Sequence, residues 1–140
     1  MDNKVKISNI PGVNYSPIDP ISNPKGNILH AIKKSDDSFI DFGEAYFTFI
    51  NKSETKGWKK HKLMLMNLFV PNGEVTFFLH DETKKITESH NIGINNYGRL
   101  TVPPEIWVAF RGESENNLIL NIASIEHDPN ESENADLSIF

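Results

Sequence analysis

Apolar and polar positions follow one another along this chain in short segments rather than in long helical stripes. Seven segments are rich in β-branched and aromatic residues, and they predict strands at 27–32, 45–50, 66–70, 75–80, 100–102, 107–110 and 118–124. No segment keeps the helical period of about 3.6 residues over roughly ten positions. The pattern therefore predicts an all-β domain, built as a sandwich or a barrel.

Turn-forming residues separate the strands and mark the ends of the domain. Asn72-Gly73 predicts a hairpin between its flanking strands, because both residues tolerate the positive φ of a type I′ turn. Four of the eight prolines fall within residues 10–26, which is incompatible with a helix or a central strand there. We expect an extended proline-rich arm over 1–26, a barrel over 27–129 and an acidic tail over 130–140.

Composition narrows the class of protein. At 140 residues and 15.9 kDa the chain has the size of a single domain. The absence of cysteine excludes a disulfide framework, thiolate catalysis and thiolate-bound metals. The apolar runs are far shorter than the roughly 20 residues of a membrane span, and nothing near Met1 resembles a signal peptide. We therefore expect a cytoplasmic protein with no membrane partner.

Charge is unevenly distributed along the chain. The net charge of −5 argues against nucleic-acid binding, which needs a basic surface. Residues 52–62 contain five lysines and one glutamate, whereas residues 126–140 contain five acidic residues and no lysine or arginine. Both runs are typical of solvated surfaces, but the basic block could also meet an anionic small molecule.

Polar residues within the apolar strands are candidates for a ligand cavity. Asn67, His80 and Asn121 each interrupt or end an apolar run, and the inner face of a closing barrel can line such a cavity. Strand alternation offers the other interpretation, in which each side chain points to solvent. His30 lies among apolar neighbours, where it either faces the cavity or is a hydrogen-bonded structural histidine. The polar stretch around His90 indicates a surface position.

Residues 56–62, with the sequence KGWKKHK, bring a large aromatic ring, four amines and an imidazole together just before a predicted strand pair. This composition is typical of the rim or floor of a sugar-sized pocket. Five stretches carry a resemblance to a known family: FGEAYF (42–47), GWKKH (57–61), NLFVPNGEV (67–75), YGRLTVPPEIW (97–107) and NLILNIASIEHDP (117–129). In that order, and over about two thirds of the chain, the sequence resembles small cupin-type proteins related to dTDP-4-dehydrorhamnose 3,5-epimerase. The resemblance implies a cupin-like jelly-roll β-barrel, or double-stranded β-helix.

The cupin pattern also tests for a metal site. A metal cupin has two histidines separated by one residue, a glutamate a few positions on, and a third histidine in a later motif. Here the first pair is Lys59 and His61, the glutamate position falls near Met66 or Asn67, and the later position falls near Trp107 or Val108. Only one of the four ligands is present. We therefore expect a pocket with no metal and no cofactor.

The resemblance implies a base, a supporting aspartate and a tyrosine acid on the opposite face of the sugar. The family's base is a histidine that follows an Arg-Gly-hydrophobic triplet, which here reads Lys56-Gly57-Trp58, so that Lys59 takes the base position and His61 lies two residues further on. A lysine acts as a base only if burial or neighbouring cations lower its pKa, whereas the reference pKa of histidine is already near neutral.

Lys59 and His61 are therefore the candidate catalytic residues, with the choice of base left open. The strand expected to carry the tyrosine has none, and Tyr97 or His127 is the candidate replacement. Lys56, Lys59, Lys62, Arg99 and Arg111 are the cations available to a diphosphate. The candidate substrate-binding residues are His30, Lys56, Trp58, Asn67, Tyr97, Arg99, Trp107, Asn121 and His127.

The sequence thus predicts a metal-independent epimerase or isomerase of a nucleoside-diphosphate 4-keto-6-deoxy sugar. It would remove a proton next to the ketone, either at C3 alone or at C3 and C5. The alternative is a noncatalytic module that binds a sugar nucleotide or another carbohydrate. Either protein is expected to form a homodimer, in which the proline-rich arm adds to an exposed sheet edge.

Overall fold

The computed structural model describes residues 6–139, and these residues form two antiparallel sheets with three short 3₁₀ turns. The strands are β1 (Lys6–Ile7), β2 (Asn14–Pro17), β3 (Glu44–Asn51), β4 (Thr55–His61), β5 (Met66–Asn72), β6 (Glu74–Asp81), β7 (Ile86–Gly93), β8 (Gly98–Val102), β9 (Trp107–Gly112), β10 (Asn116–Ala123) and β11 (Ser132–Asn134). The predicted all-β class is confirmed. No helix within the described residues is long and apolar enough to cross a membrane.

The core lies between the two sheets. The first sheet has the strand order β1-β2-β8-β5-β10-β3, and the second has the order β11-β4-β9-β6-β7. In β6, Val75, Phe77 and Leu79 alternate inward and are buried, while the residues between them are partly exposed. Leu100 and Val102 of β8 belong to the same apolar cluster. Burial of each such side chain stabilises the fold by roughly 1.5–3 kcal/mol. The alternation of apolar residues therefore determines which face of each sheet is turned toward the core.

Asn72-Gly73 is not a hairpin turn, contrary to the sequence-based prediction. β5 pairs with β8 and β10 in the first sheet, whereas β6 pairs with β7 and β9 in the second. Gly73 does adopt a positive φ of 82°, and a side chain there would collide with Asn116 and Asn117. The tight turn therefore carries the chain from one sheet to the other, because the strands it joins belong to different layers.

The predicted strand at 27–32 is also wrong. Apart from one bridge between Ile21 and Ile28, the segment from 18 to 43 forms no strand. Side chains of the first sheet anchor it instead: the Tyr97 hydroxyl donates to the His30 carbonyl at 2.7 Å. Ile21, Ile28 and Ile40 of this segment are exposed, so its β-branched composition alone was misleading.

The proline-rich segment contributes to the barrel itself. β2 pairs with β8 of the same chain, and Ile10, Val13 and Tyr15 are buried in the core cluster. Residues 1–5 of the predicted arm lie outside the described residues, as does Phe140 of the predicted tail.

Two strands were hidden by their polarity. β4 is rich in lysine, and β7 contains Glu88 and His90, which lack the apolar alternation that marks the other strands. His90 is half-buried rather than a plain surface residue, and its Nε2 lies 2.7 Å from Oε2 of Glu88. Polar strands of this kind are fixed by their cross-strand neighbours, which the sequence does not display.

The basic and acidic runs of the chain meet in the structure. β11, within the acidic tail, pairs antiparallel with β4. Lys60 lies 3.2–3.9 Å from carboxylates of Glu82, Glu105 and Glu133, and its ammonium lies over the Trp107 ring. Burial disfavours the charge on Lys60, but the Glu82 hydrogen bond and the three carboxylates outweigh it and raise the pKa of this lysine.

Candidate active site

A cavity of about 330 Å³ opens between β3 of the first sheet and β4 of the second. Its deeper wall is apolar, with Leu68, Phe77 and Val108, and its remaining wall carries amines, an imidazole, hydroxyls and amides. The lining residues are Tyr46, Thr48, Lys56, Gly57, Trp58, Lys59, His61, Met66, Leu68, Phe77, Val108, Phe110, Ile119, Asn121 and Asn134. An apolar pocket with a few converging polar groups is the usual form of a small-molecule site.

An irregularity in β4 brings both lysines to this cavity. Lys56 and Lys59 are three residues apart, so regular alternation would direct them to opposite faces. The pairing of β4 with β9 shifts register between these two residues, which places both on the cavity wall. Gly57 permits the irregularity, since a Cβ atom there would lie 2.6 Å from the Cβ of Ala109.

His61 is held by a buried carboxylate. His61 is 8% exposed and Glu131 is 4% exposed, and Nδ1 of His61 is hydrogen-bonded to Oε1 of Glu131. The other carboxylate oxygen, Oε2, accepts from the backbone amides of Lys62, Leu63 and Met64 at 3.0–3.2 Å. Glu131 therefore fixes the ring of His61 and leaves Nε2 for a ligand in the cavity.

The surroundings of Glu131 favour its ionised form. Burial alone would raise its pKa, but hydrogen bonds from His61 and from the Leu63 and Met64 amides, with the attraction of His61, hold the pKa of Glu131 below its ordinary value. A charged carboxylate beside the imidazole stabilises the ring when it gains a proton. The pair is therefore suited to taking a proton at Nε2.

A tyrosine faces the histidine from the opposite sheet. Tyr46 is on β3 and His61 is on β4, and both line the cavity. Nδ2 of Asn121 donates to the Tyr46 hydroxyl at 3.0 Å. Because the phenol oxygen accepts that bond, its own proton remains available to a ligand.

The two lysines make the cavity rim cationic. Lys56 and Lys59 are exposed, and Nζ of Lys56 donates to the Phe49 carbonyl at 2.9 Å, which holds it at the edge of β3. An ammonium group is a strong partner for a phosphate oxygen. Lys62 follows β4 outside the cavity-lining set.

The structure brings five of the predicted site residues together. His61, Lys59, Lys56, Trp58 and Asn121 all line the cavity. The remaining candidates lie elsewhere.

Asn67 bonds Thr101 and the Ser38 carbonyl under the long loop. Trp107 packs with Trp58 and Ala109 outside the main core and donates to Glu82. His127 is exposed outside the cavity.

His30, Tyr97 and Arg99 lie on the far side of the first sheet. His30 and Arg99 line a separate cavity beneath the segment from 18 to 36. Arg99 is buried and donates to the Ala31 carbonyl and to Asp36, each at 3.2 Å, so its charge is used within the protein. Arg111 pairs with Glu113 at 2.9 Å, also outside the main cavity. These residues do not form part of the candidate site.

Four polar residues of the site were missed from the sequence, namely Tyr46, Thr48, Glu131 and Asn134. Tyr46 lies in the cavity, whereas Tyr97 and His127 do not, and the carboxylate bonded to His61 is Glu131 rather than an aspartate. Asn134 joins the wall from β11. Tyr46 was within a stretch that carried the family resemblance, and the alternation of β3 was the signal that could have placed it inward.

The residues of this cavity do not fit a cupin metal centre. Two ammonium groups accompany a single imidazole, whose Nδ1 is already bonded to Glu131. Within residues 6–139, no group of three histidine or carboxylate side chains is placed to hold an ion. A cation beside two lysines would also be repelled.

Comparison with known proteins supports the same fold. A dTDP sugar isomerase from Desulfovibrio desulfuricans G20 is 29% identical, with a TM-score of 0.88 over 93% of this chain and 87% of that one. The sugar 3,4-ketoisomerase QdtA from Thermoanaerobacterium thermosaccharolyticum, solved with TDP, is 21% identical, with a TM-score of 0.76 over 89% and 88%. The dTDP-4-dehydrorhamnose 3,5-epimerase from Sulfolobus tokodaii is 15% identical, with a TM-score of 0.85 over 98% and 84%.

The cupin-like jelly roll is thereby confirmed. No curated protein sequence matched significantly. The FdtA family, described as WxcM-like, C-terminal, matches residues 5–136. This match covers nearly the whole chain, and the protein belongs to that family.

Proposed function

We propose that this protein is a metal-independent isomerase or epimerase of a dTDP-4-keto-6-deoxy sugar. The observation that carries the proposal is the His61–Glu131 pair, placed across a sugar-sized cavity from Tyr46. Family membership supports it, as do the structural neighbours, which include a dTDP sugar isomerase, a 3,4-ketoisomerase and a 3,5-epimerase.

In this mechanism His61 is the base. With the Nδ1 proton directed to Glu131, the lone pair of Nε2 removes the proton on C3, next to the C4 ketone. The electron pair of the C3–H bond forms the C3–C4 double bond, and the π pair of the ketone moves to its oxygen, which gives the enolate. Glu131 stabilises the imidazolium that forms, because the pKa of this carboxyl is held low and it remains charged.

Tyr46 and the rim lysines interact with oxygen atoms of the substrate. The Tyr46 proton is free to stabilise the enolate, since the phenol oxygen accepts from Asn121. Lys56 and Lys59 meet the diphosphate, in keeping with their exposed position at the rim. For epimerisation, Tyr46 donates its proton to C3 from the other face as the enolate returns to the ketone, and the phenolate and the imidazolium then exchange protons with solvent. For ketoisomerisation, Tyr46 first protonates the C4 oxygen to give an enediol. The His61 imidazolium then gives its proton to C4, while the C3 hydroxyl returns a proton to the Tyr46 phenolate and becomes the ketone.

His61 is a better base than Lys59 on structural grounds. A lysine base needs burial to lose its proton near neutral pH, and Lys59 is exposed. His61 is buried and oriented by Glu131. The choice that the sequence left open is therefore assigned to His61 in this proposal, with Lys59 as a binding residue.

The test is hydrogen exchange on dTDP-4-keto-6-deoxyglucose in deuterated water, followed by NMR. We expect deuterium at C3, weaker or no exchange at C5, and no effect of a chelator. His61→Asn and Tyr46→Phe should each lower turnover by roughly 100-fold, the usual cost of losing a positioned acid or base. Lys59→Met should mainly weaken binding.

A larger loss of turnover in Lys59→Met than in His61→Asn would assign the base to Lys59 instead. Binding of the nucleotide sugar without any exchange would overturn the enzyme proposal. In that case the noncatalytic sugar-nucleotide module would describe this protein.

The assembly proposed for this enzyme is a homodimer formed through the outer face of β3 and β10. Phe47 and Phe49 are 61% and 72% exposed on a strand at the edge of its sheet. Leu118 and Leu120 are their cross-strand partners and share that face. Contiguous exposed apolar surface of this kind is typical of an interface with another protein chain. Most soluble oligomers are homo-oligomers, so the partner proposed here is a second copy of this chain.

A further inference from the structure

Three buried asparagines of the first sheet differ in how well their side chains are paired. Asn67 accepts from Thr101 through Oδ1 and donates to the Ser38 carbonyl through Nδ2. Asn117 accepts from the amides of Glu74 and Ser114, and donates to two carbonyls. Both amides are therefore satisfied within the protein, as buried polar groups usually are.

Asn121 is the exception. Its Nδ2 donates to the Tyr46 hydroxyl at 3.0 Å and lies 3.9 Å from the sulfur of Met64. Its Oδ1 has no hydrogen-bond partner among residues 6–139 and is shielded from water. Asn121 is 2% exposed and lies in the wall of the catalytic cavity. A buried acceptor without a donor destabilises the empty protein, and a ligand that supplies a donor would remove that cost.

We propose that Oδ1 of Asn121 accepts a hydrogen bond from a ring hydroxyl of the sugar, and that Asn121 is thereby a specificity-determining residue. This inference rests on the proposed function. The carbonyl oxygen of an amide only accepts, so it matches a hydroxyl and not the ketone of the substrate. The same side chain therefore sets both which sugars bind and which way the ring faces.

The consequence for orientation is direct. With a hydroxyl on Asn121, the ketone is left to the donors of the cavity wall, among which Tyr46 is the residue proposed to stabilise the enolate. Asn121 donates to the Tyr46 hydroxyl through Nδ2 at the same time, so one side-chain amide contacts both the sugar hydroxyl and the proposed acid. A sugar that lacks the hydroxyl would leave Oδ1 unpaired in the complex as well.

The experiment compares ligands that cannot react. Affinities for dTDP, dTDP-glucose, dTDP-2-deoxyglucose and dTDP-3-deoxyglucose are measured by calorimetry on the wild type and on Asn121→Leu. In the wild type, one monodeoxy analogue should bind roughly ten- to a hundred-fold more weakly than dTDP-glucose, the range expected for an unpaired buried acceptor. In Asn121→Leu the three sugar nucleotides should bind within about threefold of one another, with dTDP itself unaffected.

Thermal stability without ligand supplies a second readout. Leucine at position 121 removes an unpaired buried acceptor together with one hydrogen bond to Tyr46, which is 37% exposed, so the melting temperature should stay close to that of the wild type. The matched control is Asn67→Leu, in which the same substitution breaks two hydrogen bonds outside the cavity. That variant should melt lower than the wild type and keep the full discrimination between analogues.

Failure of the inference and failure of the proposed function are separate results. If the wild type binds neither dTDP-glucose nor dTDP, the proposed function is overturned, and the inference with it. If the wild type binds dTDP-glucose but treats both monodeoxy analogues alike, only the inference is overturned. The same holds if Asn121→Leu retains the discrimination or melts as low as Asn67→Leu.

Discussion

The carboxylate of Glu131 joins the chemistry of this site to the stability of the fold. One oxygen holds His61, and the other accepts three backbone amides of the turn after β4. Hydrogen bonds to a charged acceptor are about twice as strong as neutral ones. Removal of the charge should therefore affect both the base and the turn that supports it.

Glu131→Gln tests this double role, because glutamine keeps the shape and loses the charge. In the folded wild-type protein the pKa of Glu131 lies below its ordinary value. The stability that the ionised carboxylate contributes is therefore present above the pKa of the unfolded state, and it is lost as the pH falls through the pKa of the folded state. We expect the variant to be about 1–3 kcal/mol less stable at pH 7 in urea. The difference should shrink below about pH 4. An equal difference at both pH values would show that the charge is not responsible.

Single residues of the site were predictable where one strand carries them. Lys56, Lys59 and His61 share β4, and their residue types indicated the rim of a pocket for an anionic ligand, while the family resemblance implied the catalytic base. Glu131 lies 70 positions from its histidine partner, and such a contact depends on the folded path of the chain. Arg99 illustrates the opposite error, since its charge suggested a phosphate ligand while Asp36 already pairs with it.

At the scale of elements, the shape of β4 decides which side chains enter the cavity. Lys56 and Lys59 are separated by three positions, and the register shift between them allows both side chains to lie on the same face of β4. Regular alternation, which predicted the apolar strands well, cannot predict such a shift. The residue types at Asn72-Gly73 correctly predicted a tight turn with a positive φ at Gly73. They did not predict that the two strands joined by this turn belong to different sheets, because that depends on long-range pairing.

Gly57→Ala tests the importance of that irregular strand. A methyl group at this position would meet Ala109 at 2.6 Å, in a backbone conformation with a φ of 134°. Gly26→Ala is the matched control, because its φ is 143° but nothing lies within 4 Å of the added carbon. We expect a loss of roughly 1 kcal/mol in the control and clearly more in Gly57→Ala, where overpacking adds about 1–3 kcal/mol. Equal unfolding free energies in urea would contradict a close approach of β4 to β9.

At the scale of the whole molecule, the two faces of β3 have different roles. Tyr46 and Thr48 line the cavity, whereas Phe47 and Phe49 between and beside them face outward. A partner packed on the outer face would hold the strand that carries the proposed acid. The sequence predicted an assembly through the proline-rich arm, but β2 belongs to this chain's own sheet, so removal of the arm would test folding rather than assembly.

The homodimer is tested by charging the outer face of β3. We expect the wild type to scatter light at twice 15.9 kDa at micromolar concentration, and the double variant Phe47→Asp with Phe49→Asp to scatter as a monomer. Burying two carboxylates without partners in an interface costs more than most dimers can offset. Ile94→Asp is the control, since Ile94 is 80% exposed on the turn after β7 and outside the proposed face. A monomeric wild type, or a double variant that remains dimeric, would refute this interface, and a monomeric Ile94→Asp would place the contact elsewhere.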